Sequence, residues 1–94
     1  MTRPPAGRYE VLATPEARRH LGQLPPKVLH AALALVNGPL ADDPRRVAKP
    51  LVGDLAGLWS ARRADYRVVY EIDEEARAII VHRVQHRRAA YRAR

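Results

Sequence analysis

Apolar positions change their period along this chain. From Arg8 to Ala13 they alternate, with Tyr9, Val11 and Ala13 sharing one parity, which predicts a short strand. Thr14-Pro15 then supplies a hydroxyl N-cap and a proline whose fixed φ suits a first helical position. Glu16 in that first turn complements the helix dipole. Ala17, Leu21 and Leu24 form the apolar side of this helix until Pro25-Pro26 interrupts it. A second helix is expected from about Pro26, because Val28, Leu29, Ala32, Leu35 and Val36 recur at three- and four-residue spacing. Asn37-Gly38-Pro39 is expected to end it.

After a connector rich in Pro, Asp and Gly (residues 40–54), the period falls to two. Leu58–Arg63, Tyr66–Ile72 and Ala78–Val84 read as strands. Ala64-Asp65 and Asp73–Arg77 are hairpin-length connections, so the three strands are expected to form an antiparallel meander. Strand, helical hairpin and meander together predict one α+β domain over residues 1–94. In it the two helices cover one face of a four-stranded sheet. Residues 1–7 read as a flexible lead-in and 87–94 as a basic C-terminal tail. Alternation assigns Tyr66, Val68, Tyr70 and Ile72 to the covered face and Arg67, Val69 and Glu71 to the open one, where a ligand would bind.

Charge sharpens that expectation. Seventeen Lys+Arg against ten Asp+Glu leave a net charge of +7, and all but Lys27 and Lys49 of those cations are arginines. The excess favours a polyanionic partner, and the guanidinium fork suits phosphate oxygens. With no cysteine, neither a disulfide framework nor a thiolate metal site is available. The longest apolar run, Ala31–Val36, is too short to span a bilayer, so a cytoplasmic protein is expected.

Candidate chemistry concentrates late in the chain. Arg83 to Arg94 holds five arginines, His86 and Tyr91, and no acid. Arginine for phosphate, tyrosine for base stacking and histidine for proton transfer is the set an RNA-facing edge needs. His82 shares a strand parity with Ile80 and Val84 and reads as a half-buried structural residue. His86, at the strand end, is the better candidate for proton transfer. No carboxylate lies near these histidines in sequence to complete a metal site, and no cofactor loop is present. Trp59 reads as a packing anchor in a core without phenylalanine.

Two segments carry a family resemblance: K-P-L-x-G-D-L-x-G-L-W-S-A-R-R-x-D-Y-R-V-V-Y-x-I-D, from Lys49 to Asp73, and I-I-V-H-R-V-x-H-R-R-x-x-Y-R, from Ile79 to Arg92. They resemble the RelE branch of the RelE/ParE toxin superfamily. The resemblance implies a toxin of a type II toxin–antitoxin pair that cuts mRNA in the ribosomal A site. Attack of a ribose 2′-OH on the adjacent phosphate would leave a 2′,3′-cyclic phosphate, with no metal. By position, Arg67 and Arg87 would stabilise the phosphate, Tyr91 would orient the base, and His86 would move a proton. Lys49, Arg62, Arg63, Arg83 and Arg88 would supply further RNA contacts. The implied partners are a RelB-like acidic antitoxin, in a hetero-oligomer, and mRNA on the ribosome; no membrane is implied.

The chain departs from the family at the usual base. Leu58 and Ser60 stand where the RelE pattern has lysines, and Lys49 where the YoeB-like branch has a glutamate. Two rival readings stay open: a ParE-like inhibitor of DNA gyrase, and a basic RNA- or ribosome-binding module without turnover.

Overall fold

Tyr66, Val68 and Tyr70 are buried while Arg67 between them is exposed, and this alternation decides which side of the sheet carries the core. The computed structural model describes residues 8–86. In chain order the elements are β1 (Glu10–Ala13), α1 (Pro15–Gly22), α2 (Pro26–Leu35), β2 (Lys49–Pro50), β3 (Leu58–Arg63), β4 (Tyr66–Asp73) and β5 (Ala78–His86). They build a five-stranded sheet in the order β1-β5-β4-β3-β2, with β1 parallel to β5 and the other pairs antiparallel. No helix of the described residues is long and apolar enough to cross a membrane.

The expected α+β architecture is present, with two corrections. The sheet has five strands rather than four, because Lys49–Pro50 in the connector pairs with β3 through Lys49↔Ser60 and Pro50↔Trp59. Proline is tolerated there because the strand lies at the sheet edge, where no ladder donor is required of it. The second correction concerns Asn37-Gly38-Pro39, which does not end the second helix. A π-helical turn over Val36–Leu40 carries the helical path onward. Pro39 has no N–H to donate and its ring collides with an ordinary i−4 carbonyl, and widening the turn relieves both. Within the same turn the Asn37 carbonyl accepts from the Arg8 guanidinium at 2.7 Å. Continuing the helix buries Val36, Leu40 and Ala41, each at most 4 % exposed.

Thr14 caps α1 as expected, its Oγ1 accepting from the Ala17 N–H at 3.1 Å. The helix also closes the edge of β5 where β1 ends. There Thr14 Oγ1 reaches the His82 carbonyl at 3.4 Å, and the Val84 N–H donates to His20 Nδ1 at 3.2 Å. Tyr70, Leu35, Leu40, Ile79 and Val68 are fully buried between helices and sheet. Trp59 packs against the rim of this core on the same face as Tyr70, its partner across the ladder.

The β4–β5 ladder contains an irregularity that alternation alone does not reveal. Val69 pairs with Arg83 but Tyr70 pairs with Val81, so His82 is an extra residue in β5. Parity reverses at that point. Ile79 and Val81 face the helices before it, Val84 and His86 after it.

Candidate nucleic-acid interface

The open face is assembled from cross-strand rows. Lys49, Ser60, Val69 and Arg83 form one, through the pairs Lys49↔Ser60, Ser60↔Val69 and Val69↔Arg83. Arg62, Arg67 and Gln85 form the next. Neighbouring strands are about 4.8 Å apart, so the long basic side chains of the two rows share one stretch of the open face. A groove of about 600 Å³ lies over β2, β3 and β4, lined by Lys49, Ser60, Arg62 and Arg67 and walled by the connector residues Arg46 to Ala48.

None of Arg46, Lys49, Arg62, Arg67 and Arg83 forms an ion pair among the described residues. The basic residues that do pair lie outside the groove lining: Arg8 with Asp42, Arg45 and Arg77 with Glu74, His20 with Glu16, and, on the open face itself, His82 with Glu71. Like charges gathered along this groove, with no carboxylate among the described residues that line it, form a field that attracts a polyanion.

The connector wall is pinned from beneath. Tyr70 Oη donates to the Pro44 carbonyl inside the core. Arg45 bonds the Glu74 carboxylate and lies over the Trp59 ring, 5.7 Å from its centroid. Tyr9 Oη donates to the same carboxylate at 2.9 Å, and Arg77 stacks over the Tyr9 ring at 4.6 Å. Arg45 first, then Tyr9, holds the Glu74 carboxyl below the usual carboxylate range. The same pairing raises the Arg45 guanidinium. Desolvation pushes the Tyr70 phenol far up and that of Tyr66 up as well, so both remain neutral hydroxyls.

The sequence-derived candidates divide between the faces. Lys49, Arg62 and Arg67 come together in the groove, and Arg83 shares their face. Arg63 pairs with Tyr66 and so projects from the helix-covered side. His86 also pairs with Tyr66, is 7 % exposed, and lies across the sheet from the groove. The extra residue at His82 is the physical reason, since it moves His86 to the parity of the core. Arg87, Arg88 and Tyr91 lie outside the described residues.

Three features were not legible from spacing. Arg46 reaches the groove because of the path of the connector. Ser60 stands beside Lys49 only because β2 exists. Glu71 pairs with no arginine among the described residues but meets His82 Nε2 at 3.1 Å, so this histidine has a carboxylate partner brought to it across the ladder. No group of three or more metal-ligating side chains occurs among the described residues.

Residues 11–91 match the family described as ParE toxin of type II toxin-antitoxin system, parDE. Toxin RelG of Mycobacterium tuberculosis is 46% identical over 84 residues, which cover 89% of this chain and 97% of that protein. Toxin RelE of the same organism is also 46% identical, over 89% of this chain and 87% of that one. Among solved structures, the toxin–antitoxin complex RelBE2 of M. tuberculosis superposes with a TM-score of 0.83 at 46% identity, covering 85% of this chain and 99% of that chain.

Proposed function

Because the chain belongs to the RelE/ParE superfamily of toxins from type II toxin–antitoxin systems, we propose that it is a ribosome-dependent mRNA endoribonuclease that inhibits translation in the cytoplasm. The observation that carries this reading is the groove in which Lys49, Arg62 and Arg67 face one way with no carboxylate paired to them. A protein that only occupied another protein's surface would not require guanidinium forks grouped without a carboxylate in one groove.

In the proposed reaction a ribose 2′-OH attacks the adjacent phosphorus, the bond to the 5′-oxygen breaks, and a 2′,3′-cyclic phosphate remains. Charge builds on the non-bridging oxygens of the phosphorane, where fixed cations lower the barrier most. Arg67 and Arg62, adjacent across the ladder, are assigned that role. Arg87 and Tyr91 are assigned phosphate stabilisation and base stacking, and Arg83 and Arg88 backbone contacts. Side chains supply the charge stabilisation, so no metal or cofactor is assigned.

An acidic RelB-like antitoxin is proposed as the partner, covering the groove in a hetero-oligomer. Complementary charge would give fast, salt-sensitive association. The family description ParE favours a second reading, inhibition of DNA gyrase. One experiment separates the two: purified protein is added to programmed ribosomes and, in parallel, to a gyrase supercoiling reaction. Cleavage of the A-site codon, lost in Arg67→Ala, is expected. Blocked supercoiling with intact mRNA would replace the nuclease reading, and ribosome binding without cleavage would leave a non-catalytic module.

A further inference from the structure

The cations of the groove are chemically unequal. Arg46, Arg62 and Arg67 present guanidinium forks to it. They can hold a phosphate but are poor proton donors. The leaving 5′-oxygen of an RNA strand is an alkoxide and needs a proton as its bond to phosphorus breaks. Among the described groove-lining side chains, Lys49 is the one whose charged form can deliver a proton within hydrogen-bonding reach of a bound backbone.

Its surroundings support that use. Lys49 is exposed on edge strand β2, opposite Ser60, with Arg62 of β3, Arg67 of β4 and Arg46 of the connector facing the same space. No carboxylate among the described residues lines that groove to tie up the ammonium. The other titratable candidates are elsewhere. His86 faces the core, and His82 is bound to Glu71 on β5 and β4, on the open face but outside the groove lining. The two guanidinium groups of Arg62 and Arg67 would take the non-bridging oxygens, which leaves a bridging oxygen for the ammonium.

We propose that Lys49 is the general acid of the RNA cleavage, an assignment that rests on the ribonuclease reading above. The 2′-oxygen bonds phosphorus and gives its proton to water. The P–O5′ bond breaks with its electron pair on O5′, and the Lys49 ammonium gives that oxygen a proton, becoming a neutral amine that solvent reprotonates.

The test uses mRNA on programmed ribosomes with either the natural oxygen or sulfur at the scissile 5′ position, since a thiolate leaves without a proton. Lys49→Arg keeps the charge and so preserves phosphate binding. The expected result is a loss of about 100-fold in cleavage of the oxygen substrate, with ribosome binding intact and near wild-type cleavage of the sulfur substrate. Equal slowing on both substrates, or no slowing on oxygen, would overturn the assignment while leaving the nuclease reading standing. Cleavage of neither substrate by the wild-type protein would overturn the nuclease reading, and the general acid with it.

Discussion

Tyr70 and Tyr66 lie on the same face of β4 and are both buried, 0 % and 4 % exposed, yet their hydroxyls meet different fates. Tyr70 Oη donates to the buried Pro44 carbonyl, whereas Tyr66 Oη has no partner among the described residues. Tyr70→Phe therefore strands a buried carbonyl, a loss of about 1–3 kcal/mol. Tyr66→Phe removes a desolvated hydroxyl that gains nothing in return, so stability should hold or rise by up to about 1 kcal/mol. In a domain of this size each 1 kcal/mol moves Tm by about 4–8 °C. Urea denaturation followed by the fluorescence of Trp59, the only tryptophan, measures both variants. That probe has a second use, because Arg45 lies over the Trp59 ring on the connector that Tyr70 anchors. Tyr70→Phe should alter the native-state emission and Tyr66→Phe should not. If Tyr70→Phe came within 0.5 kcal/mol of wild type (about the noise of a neutral surface change), or if Tyr66→Phe were the more damaging, the hydroxyl accounting would be refuted.

Two further outcomes follow from the hairpins. Ala64 holds φ at 53° in the β3–β4 turn, a conformation that costs an L-residue roughly 1 kcal/mol, so Ala64→Gly should raise Tm in a thermal melt. Ala64→Val should lower it. Glu74 has a folded pKa below its unfolded value, so its contribution is complete above the ordinary carboxylate value of about 4.3 and is lost as pH falls below it. Denaturation midpoints of wild type and Glu74→Gln should therefore converge as pH drops through that window, and parallel curves would show that the Tyr9–Glu74–Arg45 cluster does not couple to folding.

The meander was legible because β3 and β4 keep strict alternation and their connections are short, so Arg67 was placed on the open face from spacing alone. The α1 cap was legible because Thr14-Pro15 states it chemically. What escaped is what the rest of the fold imposes. A two-residue edge strand containing proline has no periodicity to detect, yet it sets Lys49 beside Ser60. Pro39 ends an isolated helix, but burial of Val36 and Leu40 favours a widened turn instead. The extra residue at His82 left no compositional trace, and it reversed the faces of Val84 and His86 relative to Ile80. Family resemblance named Arg62 and Arg67 but not Arg46, and it listed Arg62 and Arg63 together although they point to opposite sides of the sheet.

That opposition provides the most direct test of the groove as the functional surface. Wild-type protein and the variants Arg62→Ala, Arg67→Ala and Arg63→Ala would be added to a translating extract, and mRNA 5′ ends mapped. Cuts at ribosomal A-site positions are expected with wild type and Arg63→Ala, with at least tenfold fewer for Arg67→Ala and Arg62→Ala (the loss of about 1.4 kcal/mol or more that one charge-assisted contact supplies). Undiminished cutting by Arg67→Ala, equal loss in Arg63→Ala, or no A-site cuts by the wild-type protein would contradict it.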